Sequence, residues 1–413
     1  MLVNLLLSTN DARRPTSRGG KTKLAAVAMS AVALSMTLFT THPVTAQAIS
    51  ASYTVNHHAE RAPLYGMGRA ALLTTSEWRA FKGSYVRSDG RVVDVENAGV
   101  SHSESQGYGM LFAAYANDRQ GFDQIWRFTR TRLQRSDGLF AWRWIEHSHT
   151  HIPDWNNASD GDIFIAYALL RAALQWNDPM YVYEASRIID AIGRILIRRV
   201  DRHTILLPGV HGFEAKRNRR GPVTNLSYYF YAAFELFEKV RPEYPWRELT
   251  ASGRELTRLA RFGRYRQVPD WVSVDTQTGY PHIARGFEPK SAYDAVRIPL
   301  YMAYSGLPAD DLQSFDAAWA HFSDGVPREV NFQGRTPPTR MNDSGYRYIA
   351  QLTACRVRGV PITGPDRSFR PTTYFSSSLH LIGLIAARRH NQGCGEYWTA
   401  AAVQRSRPMV ATN

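Results

Sequence analysis

Apolar residues return along most of the chain at the spacing of one helix face. Between Ser105 and Asn117 they are Tyr108, Leu111, Phe112 and Tyr115, at i, i+3, i+4 and i+7. Phe122, Ile125, Trp126 and Leu133 continue the pattern, as do Ile163, Tyr167, Leu170 and Leu174, then Ile188, Ile189, Ile192, Ile195 and Leu196. Phe230, Phe234 and Phe237, then Leu249, Leu256 and Leu259, then Leu312, Phe315 and Trp319, then Leu379, Ile382 and Ile385 carry it on. These runs predict about twelve helices between Thr74 and Gln404. Only scraps such as Arg91 to Val95 and Thr204 to Leu207 favour strands, and no sheet is expected.

The connections alternate in length. Links at 118–121, at Asn177-Asp178-Pro179, from Arg241 to Pro245 and at Gly306-Leu307-Pro308 are short, whereas 86–104, 135–159, 201–224 and 261–290 are long. Short links make antiparallel neighbours, so the helices that open each pair start at one end of the molecule. Those starts carry Glu104, Asp160, Asn225 to Tyr228, and Asp294. Long links in a compact domain tend to be functional. The rhythm predicts an all-α ring of helix pairs with carboxylates gathered on one loop-rich face; the stretch 343–354 does not fit the pairing.

A simpler account of these acids exists. Ser101-x-x-Glu104, Ser159-x-x-Asp162 and Ser291-x-x-Asp294 fit a capping box, and an acid in a first helical turn gains about 0.3–1 kcal/mol from the helix dipole. Asp160 falls outside that spacing. Capping also leaves Gly107 and Gly109 unexplained, since each costs about 1 kcal/mol against Ala inside a helix; close packing or close approach of a ligand accounts for them.

Composition narrows the class. The chain has 413 residues, 44% hydrophobic and 21% charged, enough for a large core, and ten Trp, 21 Tyr and 18 Phe. Such rings suit a sugar-binding cleft as well as a core. At the N-terminus, Arg13, Arg14, Arg18, Lys21 and Lys23 precede an apolar run from Leu24 to Phe39 and an Ala46-Gln47-Ala48 cleavage pattern. That is the order of a secretory signal peptide, with an uncleaved anchor as the alternative. We therefore divide the chain into residues 1–48, a signal peptide, and 49–413, a single domain, exported to the periplasm or beyond. Removing the first part leaves 45 Lys and Arg against 35 Asp and Glu, a net charge of +10. Cys355 and Cys394 are the only cysteines; in an exported chain they can pair, or stay as two buried thiols. No P-loop, dinucleotide fingerprint or zinc-finger spacing occurs, so no nucleic acid or nucleotide is expected. His147, His149 and His151 alternate without a neighbouring Cys and read as loop histidines, not a metal site. Arg254, Arg258, Arg261 and Arg264, and the run Lys216 to Arg220, read as solvated basic surface or as contacts for an anionic polymer.

Three motifs in order, SESQGYGM at 103–110, ASDGD at 158–162 and YDAVRIP at 293–299, resemble the family 8 glycoside hydrolases. The similarity spans residues 60–400 and is greatest to bacterial endoglucanases associated with cellulose synthesis. Leu206-Leu207-Pro208-Gly209 with Gly212-Phe213, and Asn225-Leu226-Ser227-Tyr228, add to it. Ser105 stands where the family usually has Gly, and Leu226 where it usually has Pro. The resemblance implies an (α/α)6 barrel that hydrolyses β-1,4-linked glycans with inversion and no cofactor. It implies Glu104 as general acid, Asp294 as the base that activates water, Asp160 as the acid at the cleavage subsite, Tyr228 near that water, and Arg297 beside the base. The chemistry requires a protonated acid, so burial and the nearby Asp160 are expected to raise Glu104, while Arg297 is expected to keep Asp294 charged. Asp160 and Asp162 would grip sugar hydroxyls. Trp142, Trp144 and Trp155, on the link before ASDGD, would stack on sugar or pack beneath the loop. The expected partner is a β-1,4-glucan, with the cellulose-synthesis machinery as a further one, and the chain is expected to be a monomer. Two rivals stand: the same fold acting on xylan or on chitosan, the latter disfavoured by a basic surface, and a non-catalytic basic helical module that binds glycan.

Overall fold

The computed structural model describes residues 72–216, 220–390 and Cys394. The expected signal segment, its cleavage site and residues 217–219 of the basic run lie outside the described residues. Eleven α-helices occur among those described: α1 (Thr75–Tyr85), α2 (Ser103–Tyr115), α3 (Arg119–Leu133), α4 (Ser159–Trp176), α5 (Pro179–Leu196), α6 (Tyr231–Val240), α7 (Trp246–Leu259), α8 (Arg297–Tyr304), α9 (Ala309–Ala320), α10 (Ser344–Arg358) and α11 (Tyr374–Arg389).

Burial divides them into two layers. In α2, α4, α8 and α11 almost every side chain is buried, because these helices are surrounded on all sides. In α3, α5 and α7 one stripe is buried and the opposite face is polar. The inner helices touch in sequence, α2 to α4, α4 to α6, α6 to α8 and α8 to α11, while α3, α5, α7 and α9 back them. The stretch 343–354, which did not fit the pairing, is α10, packed between α9 and α11.

The two tightest links share one chemistry. Asn117 and Asn177 take left-handed backbone angles, φ 58° and 54°, which end α2 and α4. Asp118 and Asp178 follow as N-caps, accepting from Gly121 N at 2.8 Å and Met180 N at 3.0 Å. Asp118 also accepts from Trp78 Nε1 and Lys82 Nζ, which ties α1 to the same corner.

The long links hold the strands, in four small antiparallel sheets that the absence of clear alternation had hidden. β1 (Ser101–His102) pairs with β2 (Arg143–Trp144), and β3 (Ile197–Val200) pairs with β4 (His203–Leu206). β5 (Val223–Thr224), β6 (Val272–Val274) and β7 (Pro281–Ile283) form one three-stranded sheet. β8 (Lys290–Ser291), β9 (Arg328–Asn331) and β10 (Thr339–Arg340) form another. The solvated basic face expected of Arg254, Arg258, Arg261 and Arg264 is corrected in part: Arg258 and Arg264 are exposed, whereas the other two are engaged. Arg254 is bound to Asp311 of α9 at 2.9 Å, and the Arg261 guanidinium is buried over the Phe315 ring, 4.1 Å from its centre. Cys355 and Cys394 form a disulfide.

Candidate active site

At the end of the molecule where the inner helices begin, three carboxylates meet one guanidinium. Arg297 opens α8 and is 2% exposed. Its Nη1 donates to Glu104 Oε1 and, at 3.1 Å, to Asp160 Oδ2. Its Nη2 donates to Asp294 Oδ1 at 2.6 Å and to Ser227 Oγ at 2.9 Å. The sequence reading placed Arg297 beside the base; the structure makes it the hub of all three acids.

Local structure explains each position. The strand pair β1–β2 and the bond from Ser103 N to Trp142 O, 3.0 Å, fix where α2 begins. The buried Ser105 hydroxyl accepts from His102 N at 3.0 Å and lies 2.9 Å from Val92 O. The residue that departs from the usual glycine thus tethers the first turn, and Glu104 keeps its contacts. Glu104 also accepts from Tyr108 Oη at 2.7 Å, and Tyr108 Oη contacts Tyr301 Oη. Asp160 sits in the first turn of α4 and accepts from Gly161 N at 2.8 Å. Asp294 lies in the turn before α8, outside the helix.

None of the three motif acids acts as the cap that the S-x-x-[DE] spacing suggested. The N-cap positions are His102, Ala158 and Val296, and the carboxylates accept from groups other than the N-cap amides. The electrostatics follow from enclosure. Burial first, and then the neighbouring Glu104, pushes Asp160 well above the carboxylate range. Burial also raises Asp294; Arg297 opposes that shift and Glu104 adds to it. Arg297 was expected to keep Asp294 low, but desolvation outweighs it.

Two assignments are corrected. Asp162 does not reach the group: it is fully buried, and its oxygens accept from Phe140 N at 2.8 Å and Asn157 Nδ2 at 2.7 Å. It fastens the 134–158 link to α4, and burial pushes its carboxyl up to about 7. Trp142 is buried too, its Nε1 donating to Asp154 at 2.8 Å and its ring covered by His102 and Arg143. Trp144 is likewise flanked by His151 and Arg91. Trp155 is 56% exposed and remains available to a ligand.

Tyr228 follows Ser227 in a short 3-10 turn, Leu226–Tyr228, and its ring lies 5.4 Å from the Arg297 guanidinium. Phe375, from α11, covers Arg297 at 5.7 Å. Behind Tyr228 the rings of Phe213, Trp271 and Phe287 are stacked, Trp271 and Phe287 at 4.6 Å. Sequence reasoning missed Ser227, Tyr301, Phe375 and Trp271. Ser227 lay inside a quoted motif, and Pro269-Asp270-Trp271 lies inside the long link 261–290, which was the available signal for Trp271.

Comparison with known proteins comes to the same point. The family model for glycosyl hydrolases family 8 matches residues 61–389. A "Probable endoglucanase" of Novacetimonas hansenii is 36% identical over 320 residues, 75% of this chain and 90% of the relative. An endoglucanase of Cellulomonas uda is 34% identical over 253 residues, 61% of this chain and 68% of the relative. Among solved structures, endo-beta-1,4-glucanase CMCax from Acetobacter xylinum is 34% identical with a TM-score of 0.69, covering 78% of this chain and 99% of that one. The expected (α/α)6 barrel is the fold of these neighbours and of this chain.

Proposed function

The chain belongs to the glycosyl hydrolases of family 8, and from that premise we propose how its site cleaves a β-1,4-glucan. It is a glycoside hydrolase of the endoglucanase type. In our reading Glu104 is the general acid, Asp294 the general base, and Asp160 grips the sugar at the bond being cut. Reaction proceeds with inversion and without a cofactor.

One observation carries this reading: three buried carboxylates share a single guanidinium. With all three ionised the site would hold a net charge of −2 away from water, which desolvation strongly disfavours. The site therefore retains a proton near working pH. A glycosidic oxygen leaves only when protonated, and we assign that task to Glu104, the most exposed of the three at 15% of its side chain. Asp294 sits on the other guanidinium nitrogen, so Arg297 stands between the two carboxyls. An inverting pair stands about 6.5–9.5 Å apart, to admit water. The Tyr228 ring lies 5.4 Å from the Arg297 guanidinium, and we place it near that water. Trp155 offers a face on which a pyranose ring can stack.

The disulfide supports export, because such bonds persist in oxidising compartments. The motif resemblance to endoglucanases associated with cellulose synthesis supports a partner in that machinery, and we take the chain to act as a monomer.

The test is a substrate panel with two isosteric variants. The expressed protein should release reducing ends from carboxymethylcellulose or mixed-linkage glucan. Glu104→Gln and Asp294→Asn should remain folded and bind glucan, with turnover reduced by about three orders of magnitude or more. Cleavage of xylan or chitosan alone would overturn the glucan assignment. Full turnover in either variant would remove that residue from its role, and an initial β anomer by proton NMR would contradict inversion.

A further inference from the structure

The turn that carries Asp294 is held from behind by another buried carboxyl. Asp270 is 1% exposed and lies one residue before Trp271, at the entry to β6. Its backbone N donates to Lys290 O at 2.8 Å. Its Oδ1 accepts from Ala292 N at 2.7 Å and from Ala295 N at 3.0 Å. Those amides bracket Asp294: one lies two residues before it and the other directly after. The same turn is closed by Val296 N to Ala292 O, 3.1 Å, and Arg297 N to Asp294 O, 3.1 Å, so its placement sets both the base and the guanidinium hub.

We propose that Asp270 is a positioning residue for the general base, its carboxyl oxygen pinning the two amides that frame Asp294. The proposal rests on Asp294 acting as base. The adjoining Trp271 stacks on Phe287 and meets the edge of Tyr228, so a two-residue segment fixes the base turn on one side and borders the tyrosine on the other. A turn with short Ala side chains at 292 and 295 has little of its own to lock it, and loop-borne catalytic groups need such support to hold their geometry.

The charge environment agrees with this task. Asp270 faces Asp294 and Lys290, whose ammonium is also bound to Glu288 at 2.6 Å and Glu329 at 3.5 Å. Asp294 faces Arg297, Glu104 and Asn225. Burial and the charge of Asp294 push Asp270 up to about 8. That shift favours the neutral carboxyl, whose Oδ1 still accepts the two hydrogen bonds, and a neutral Asp270 spares the base a second negative charge behind it.

Steady-state kinetics on soluble mixed-linkage glucan, normalised to folded protein by circular dichroism, test this. Asp270→Asn keeps the acceptor oxygen and the neutral charge, and kcat should stay within about threefold of the parent. Asp270→Ala removes the acceptor, and kcat should fall about tenfold or more with KM within about threefold, because small misplacements of reacting groups cost that much. Asp270→Glu, with the acceptor displaced by one methylene, should fall with Ala. If the Ala variant does not fold, the contrast of Asn with Glu decides. A purely structural carboxyl would lower the melting temperature and leave kcat per folded molecule unchanged in all three, and that result overturns the proposal. So would an Asn variant as impaired as Ala or Glu. Asp294→Asn, assayed in parallel, separates the failures: if it stays active the base assignment is wrong, whereas if it is inactive beside a fully active Ala variant, only the role of Asp270 falls.

Discussion

Arg297 draws its importance from the number of charges it answers. Its two terminal nitrogens bind Glu104, Asp160 and Asp294, and its charge opposes the rise that burial imposes on Asp294. Replacing it by Gln leaves the carboxylates in place without that opposition. Asp294 then ionises only at higher pH, so the acid limb of kcat/KM should move upward while kcat falls by about two orders of magnitude. A pH series on Arg297→Gln checks it, and an unmoved limb would mean that Asp294 does not set it. These four residues could be found from the sequence because each stands in a short motif whose order and spacing are specific. Asp162 and Trp142 were misjudged because a carboxylate or an indole beside a motif looks the same whether it faces sugar or backbone. Only the amides of Phe140 and the carboxylate of Asp154 decide that, and they lie 22 and 12 residues away.

Between elements, the site depends on how closely α2 approaches α4. A Cβ at Gly107 would come within 2.6 Å of Phe164 Cβ and 3.0 Å of Ile165 N; one at Gly161 would come within 2.7 Å of Glu104 N and also strike the Ser103 hydroxyl. Glycine at these positions lets the first turns of the two helices touch, which brings Glu104 and Asp160 to the same guanidinium nitrogen. Gly161→Ala should push the turns apart, lowering stability by about 1–3 kcal/mol and kcat about tenfold or more. Denaturant melts and kinetics on the same preparation check both, and a stable variant with parental kcat would show that the close approach does not position the acids. The helices and the alternation of links were legible because periodicity and Asn-Asp corners are local signals. The small sheets were not, since strands of two to four residues in long links show no period and are fixed by partners distant in sequence, such as β1 with β2.

Across the whole molecule the catalytic end and the disulfide end are separate. Phe375, near the start of α11, covers Arg297, and Tyr346, near the start of α10, packs on Tyr293 beside the base. Cys355 lies near the other end of α10 and Cys394 beyond the end of α11. At a rise of about 1.5 Å per residue, a whole helix stands between the bond and the acids. The bond closes a stretch with a sequence separation of 39, for which chain entropy predicts a stabilisation of about 4 kcal/mol. Sequence allowed this pairing but left it open against two buried thiols, because the distance between the sulfurs depends on how α10 and α11 pack. Reduction under native conditions should therefore lower the melting temperature by several degrees and sensitise the chain to proteolysis, while kcat at moderate temperature stays within about twofold of the oxidised protein. Thermal melts and glucan assays with and without dithiothreitol, alongside Cys355→Ser, check this. A loss of kcat without a loss of folded protein would mean that the far end of the barrel helps to set the geometry around Arg297.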